Sequence, residues 1–547
     1  EPSSTDSSFK LALNKIKVKN THVLYQDDTS KIKIETINTN ISGDVQVTDK
    51  FINFETETDI HSLFFVLDKS VLVDRKPLKG TVNTKVNLNP VSVEFNENKL
   101  LLANLPLRIL GKVAVLDKGI DFDLNVKSEN ASLENLFSLV PADYQKWYEG
   151  MTFTGKSNID LLLKGVMQDS ISNPSLNIKL GIVNGTVAAK QFEKTPVKNL
   201  NTTTELNMPQ LNPDSLHINV ADFAFNLGDG FAKGKAVYKF PTFVDAEVKA
   251  NLDVSKLWQT LAISGMDLKG NVALDGIVKG NYNTKSFTSK QGVAVTEITE
   301  VPTFNMKANW SKGYFKWSEM PLAITDLNFD MDAVNTDGNY KNTLVDVRNI
   351  DAKAGANYVK GRLKVTNLTS FNTDTELQAF VELADVKKIF PIKEVDFGGQ
   401  LTVDSKAKGS LDLDRNKIPV TASIIKLKNG FLKYTSLPDL PLENIDVETH
   451  VTSPRGSLND LRVNVLPISF VLAGEPFKID ANLFNFNNLT FDVGTKGKLN
   501  LGNIYKVFAI AGLDVSGQLE ADVKLRGKGG ADDPSSLNNR GFVLLKN

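Results

Sequence analysis

The sequence contains no cysteine in 547 residues. That excludes a zinc finger, a thiol nucleophile and a disulfide scaffold, and it fits an exported bacterial protein. Histidine is nearly as scarce. His22, His61, His217 and His450 lie far apart, each inside a strand-like stretch, so no metal-ligand spacing exists. Aromatic residues make up 8%, without the interfacial girdles of an outer-membrane barrel. No charge of one sign prevails: 63 basic and 64 acidic residues leave a formal net charge of -1. Such a balance gives no long-range attraction for nucleic acid or for anionic lipid surfaces. Long apolar runs are missing too. A spanning helix needs about 18 such residues, and the stretch Leu63–Val73 is interrupted by Asp68 and Lys69. The opening Glu1-Pro2-Ser3-Ser4 has no Met and reads as a linker, so a signal or anchor is expected upstream.

Catalytic signatures are equally sparse. No Gly-x-Ser-x-Gly elbow occurs, leaving a hydrolase triad without an anchor. Gly228-Asp229-Gly230 with Gly234-Lys235-Ala236 fails as a phosphate loop in its glycine spacing and lacks the magnesium-binding Ser/Thr; a hairpin turn is expected there. Asp412-x-Asp414-x-Asn416 opens like a calcium loop. Lys417 then stands where the sharp turn demands Gly, and Ser423 where a bidentate Glu belongs. No cofactor, metal or catalytic residue is expected.

What is present is a repeat. Hydrophobic residues at 41% and charged ones at 23% give an ordinary folded composition. Within it, glycine pairs ten residues apart recur four times: Gly155/Gly165, Gly270/Gly280, Gly399/Gly409 and Gly517/Gly527. Each pair encloses an Asp at its fifth place (Asp160, Asp275, Asp404, Asp522). A basic residue precedes each closing glycine (Lys164, Lys279, Lys408, Arg526). Fixed periods of this kind mark repeat architectures.

The segments between the glycines alternate. One face carries Ser157, Ile159, Leu161 and Leu163. Its counterparts are Val272, Leu274, Gly276 and Val278; Leu401, Val403, Ser405 and Ala407; and Leu519, Ala521, Val523 and Leu525. The recurring Asp and Lys/Arg fall on the other face, where they are expected to form outward ladders or simply to keep that face soluble. Similar alternation runs through Ile120–Val126, Val244–Ala250, Leu327–Met331 and Ile445–Val451. Antiparallel sheet with one solvated face is the reading.

Before each glycine segment stands a capping residue: Ser132, Asp253, Asp385 or Asn500. Apolar residues follow, with Leu136-Phe137, Leu257-Trp258, Ile389-Phe390 and Ile504-Tyr505. That pattern predicts one short amphipathic helix per repeat. Asn184-Gly185, Asn429-Gly430 and Asp337-Gly338 read as two-residue hairpin turns. Gly185, Gly313 and Gly430 recur with the main period, and Leu544–Asn547 resembles Leu427-Lys428-Asn429. The resulting division is a linker 1–13, units 14–165, 166–280, 281–409 and 410–527, and the start of a fifth unit at 528–547.

A one-sided apolar sheet must bury that face. The expected fold is mainly β, an extended curved antiparallel sheet forming a repeating groove. Its apolar lining would comprise Ile159, Leu161, Leu163, Val272, Leu274, Val278, Leu401, Val403, Leu519, Ala521, Val523 and Leu525. A dry-cored structural or adhesive repeat is the alternative, although Ser157, Gly276, Ser405, Ala407 and Ala521 leave the lining mixed in size.

The opening Ile16–Tyr25 with Gln26-Asp27-Asp28 resembles the start of the periplasmic domain of the AsmA family. So does the recurring Leu-x-x-Leu-aromatic…Gly element seen from Leu133 to Gly155, with Leu139-Val140-Pro141 and Met151–Gly155 inside it. The resemblance spans essentially the whole chain. It implies a periplasm-facing protein of Gram-negative bacteria, anchored in the inner membrane and akin to bridge-like lipid transfer proteins. Its expected ligand is phospholipid moving between inner and outer membranes, with a possible outer-membrane partner protein. The usual N-terminal anchor is missing from this sequence.

Overall fold

The computed structural model describes residues 10–546, other than 29–31, 68–69, 140–148, 169–170, 190–194, 257–264, 289–293, 390–393, 435–440, 473, 503–515 and 529–536. Alternation becomes strand almost everywhere, and the protein is mainly β. The chain forms two compact units.

The first unit holds β1 (Lys10–Asp27), β2 (Ile32–Thr48), β3 (Phe51–Leu67), β4 (Ser70–Leu88), β5 (Val91–Leu102), β6 (Leu105–Val115) and β7 (Ile120–Ser132). It continues with β8 (Met151–Met167), β9 (Ser175–Ala189), β10 (Val197–Met208), β11 (His217–Leu227), β12 (Gly230–Lys239) and β13 (Phe243–Asp253). Each strand pairs antiparallel with the next, and the ladder does not close into a barrel. Next comes β14 (Met266–Asn281), whose residues are divided between the units after Gly276.

The second unit adds a separate hairpin of β15 (Asn283–Thr288) and β16 (Ala294–Glu300). Then come β17 (Thr303–Trp317), β18 (Ile324–Asn335), β19 (Leu344–Ala354), β20 (Asn357–Val365), β21 (Thr373–Glu382), β22 (Val395–Gly409) and β23 (Val420–Tyr434). The last are β24 (Leu442–Ser453), β25 (Arg462–Leu472), β26 (Glu475–Phe484), β27 (Thr490–Asn500), β28 (Gln518–Lys528) and β29 (Asn538–Lys546). From β17 to β29 this ladder is again antiparallel between neighbours and open.

The glycine period has a backbone cause. A Cβ on Gly155, Gly270 or Gly399 would stand 2.7, 2.8 or 2.7 Å from the Cα of Gly185, Gly313 or Gly430 on the neighbouring strand. Only glycine on both sides permits that approach. The residues before those partners, Asn184, Lys312 and Asn429, have φ near +50°, and the register shifts beside them. Their backbone N–H groups donate to Oδ1 of Asn201 at 3.0 Å, Asn328 at 2.9 Å and Asp446 at 2.7 Å. These are β-bulges, which bend a strand and increase its twist. Asn184-Gly185 and Asn429-Gly430 are therefore not hairpin turns: both lie within strands, β9 and β23, because an αL residue followed by Gly serves a bulge as well as a turn. Gly228-Asp229 does form the two-residue turn between β11 and β12, and Asp337-Gly338 lies in the loop after β18.

Of the four expected helices, two carry defined bounds: α1 (Leu133–Phe137) and α2 (Leu383–Ile389). At the other two places only Val254–Lys256 and Leu501-Gly502 are described as helical. Leu257-Trp258, Phe390 and Ile504-Tyr505 lie outside the described residues. Six strands, β8–β13 and β22–β27, fill the first and last intervals between successive helical places, and eight, β14–β21, the middle one. Ser132 is the N-cap of α1, yet its side chain makes no capping bond. Asp253 Oδ1 accepts from the Ser255 N–H at 3.0 Å. Asp385 is no cap; it sits inside the first turn of α2, its carboxylate held by Asn357 Nδ2 at 2.9 Å.

The apolar face and its charged reverse

Residues paired directly across an antiparallel ladder share a face, so register converts strands into rows. In the first unit one row crosses ten strands, from Leu13 on β1 through Phe54, Phe95, Leu124 and Leu163 to Met208 on β10. Thr84 and Gly111 interrupt it. A second row runs from Ile109 through Val126, Leu161, Ile178 and Leu206 to Ile218. In the second unit a row runs from Ala352 on β19 through Ala379, Val403, Ile425 and Val465 to Leu525 on β28, with one polar residue, Thr449. Ten strands at about 4.8 Å spacing make each long row about 43 Å.

Of the expected lining residues, Leu161, Leu163, Val403 and Leu525 fall in these rows. Ile159, Leu161 and Leu163 face Leu180, Ile178 and Leu176. Leu401 and Val403 face Leu427 and Ile425. Leu519, Ala521, Val523 and Leu525 face Leu499, Gly497, Thr495 and Val493. Val272, Leu274 and Val278 keep the same alternation on β14 and are partly buried. The twelve do not form one cluster: the β8 set and Val278 belong to the first unit, the remainder to the second.

This face is only partly covered. Ile159, Val403, Ile425, Val465 and Leu525 are partly buried, not buried. The close approaches among described elements join neighbouring strands, short helical turns and the helices α1 and α2 to adjacent strands. Among the described residues, Leu133 and Leu227 are the large apolar side chains that are fully enclosed. Leu133 anchors a cluster with Phe153 and Ile182, and Phe137 stacks on Phe153 with ring centroids 3.8 Å apart. So α1 covers part of the apolar face, while residues such as Ile159 and Val403 stay only partly buried.

The opposite face is laced with ions, as the sequence led one to expect. Lys164, Lys279 and Lys408 pair with Asp123, Asp245 and Asp374 at 3.3, 2.9 and 3.3 Å. Arg526 Nε donates to Asp492 at 3.1 Å. Asp160 meets Lys127 at 3.2 Å, Asp522 meets Lys496 at 2.8 Å, and Asp404 accepts from Gln378 at 3.2 Å. Asp160, Asp404 and Asp522, and the bases Lys164, Lys279, Lys408 and Arg526, thus pair with the preceding strand. Sequence reasoning missed those partners. Their signal was present as Asp123/Lys127, Asp245/Lys249, Asp374/Gln378 and Asp492/Lys496, a second recurring pair four residues apart. The Arg362 guanidinium, with Lys408, holds the Asp374 carboxyl below its ordinary value, and Lys406 does the same for Glu376. His450 and Lys426 together lower Glu448.

Among the described residues no group of three or more His, Cys, Asp or Glu gathers to hold a metal ion. His22 contacts Glu35 at 3.0 Å and His450 contacts Glu448 at 2.8 Å. Asp412 and Lys417 close a tight turn through paired backbone hydrogen bonds. No described helix is long and apolar enough to cross a membrane. No protein-family model and no curated protein matches this chain.

Proposed function

We propose that this protein is a non-catalytic lipid conduit. Its apolar face would shield phospholipid acyl chains while the ionic reverse stays in water. The observation that carries the reading is the apolar row of ten strands left partly uncovered, because a bare apolar surface of that extent costs free energy in water unless something apolar lies on it. A structural or adhesive repeat with a dry core would enclose the same residues. The likeness to the AsmA periplasmic domain supplies the setting: the periplasm of a Gram-negative cell, an inner-membrane anchor outside this sequence, phospholipid passing toward the outer membrane, and a partner protein there. One short helix per repeat belongs to the same reading, each roofing part of the groove as α1 does.

Val403 and Asp404 provide the test, since adjacent residues present the two faces. A carboxylate at position 403 breaks an apolar path, since an unpaired charge there costs several kcal/mol, yet an open trough lets it reach water. Val403→Asp is expected to stay folded and lose photo-crosslinking to phospholipid, while Asp404→Ala keeps both. A Val403→Asp protein that melts far below the parent, with no variant crosslinking to lipid, would establish the dry repeat instead.

A further inference from the structure

The floor of the first unit is unlike the rest of the apolar face. On β3, Phe54, Thr56, Thr58 and Ile60 alternate on that face, and both threonines are over nine-tenths enclosed, at 7% and 9% exposure. Their cross-strand neighbours are apolar or glycine: Gly43 and Val82 beside Thr56, Ile41 and Gly80 beside Thr58. Neither threonine hydroxyl bonds to another described residue. Two strands further on, on β5, Asn98 is 2% exposed. Its Oδ1 accepts from the Asn83 N–H at 2.7 Å and from Thr84 at 3.3 Å, while its Nδ2 has no partner. Asn98 Nδ2 is shut in without a partner, and the two threonine hydroxyls, not shut in the same way, are free to take one from outside the chain.

Charge decides what that partner is. None of these rows carries Lys, Arg, Asp or Glu. A phosphate would lie there without a cation, at a cost of several kcal/mol. A neutral carbonyl suits uncommitted hydroxyls and keeps its alkyl arms on the apolar walls. We propose that Thr56 and Thr58 form a subsite for the ester carbonyls of a diacyl lipid, so that the glycerol ester region, and not the acyl chain alone, is read at β3–β5. This inference rests on the lipid-conduit reading.

The test uses the full chain, loaded in parallel with a diester phosphatidylethanolamine and its diether analogue, which lacks the carbonyls. Retention after gel filtration is measured by native mass spectrometry. Two hydrogen bonds of ordinary net strength correspond to about a tenfold preference. The parent protein is expected to retain the diester about tenfold better. Thr56→Val with Thr58→Val keeps side-chain shape and strand propensity, and should bring the ratio near one with unchanged melting. Equal retention of both lipids by the parent, or an undiminished preference in the double variant, overturns the subsite alone. A parent that retains neither lipid overturns the conduit together with it.

Discussion

At the scale of single residues, the glycines separate backbone demand from packing. Gly399 has φ +119°, and a Cβ there would lie 2.7 Å from the Gly430 Cα. Strain and clash therefore act together, and no flexible side chain can yield. Gly399→Ala is expected to destabilise the protein by about 2–4 kcal/mol, measured as a shift in urea midpoint without a change of slope. Gly474, with open space around a would-be Cβ, carries only the φ penalty and should lose about 1 kcal/mol. Equal losses at the two positions would remove the bulge as the reason for the repeat. In the sequence this glycine period was plain, but its purpose was not: Asn-Gly fits a hairpin and a bulge equally, and only the flanking register tells them apart.

At the scale of elements, the charged face sets which strands pair and in what register. Arg526 stands opposite Asp492 and Asp522 opposite Lys496, so a one-residue slip would break both contacts and turn the apolar residues outward. Arg526→Asp places two carboxylates face to face. It should cost about 0.5–1 kcal/mol, with Asp492→Arg in the same chain restoring most of it, as read by thermal melting at low salt. Failure of the double variant to recover would reduce the ladder to a solubility feature. Acid should act alike on Asp374 and Glu376, whose folded-state pKa values are lowered. Their stabilisation is complete above the unfolded values near 4 and disappears as pH falls through the lowered folded ones. A melting temperature that falls as the pH drops below the ordinary carboxylate range, and falls less in high salt, is the expected profile. Helices were less legible than strands. Asp385 looked like a cap, yet α2 begins two residues earlier because Asp385 is drawn to Asn357 across the fold.

At the scale of the molecule, the partly exposed apolar row is where the proposed ligand would be felt. A ligand that binds only the folded state raises stability by mass action, about 2.7 kcal/mol at a hundred times its Kd. Protein purified under mild conditions should carry phospholipid, and delipidation should lower its melting temperature by several degrees until lipid is added back. Identical melting before and after delipidation would speak for a dry interior.

The sequence by itself determined the strands, their two faces and the period, because side-chain alternation follows from the geometry of an extended backbone and needs no partner. Val403 inward and Asp404 outward could be read from ten residues. The tertiary structure alone decided that Ala352 and Leu525 belong to one row, that Lys408 finds Asp374 on β21, and that Asn429 bends a strand where a turn was expected. Those facts depend on register between segments far apart in the chain. Register is set by the sum of many weak cross-strand contacts, and no local stretch of sequence carries that sum.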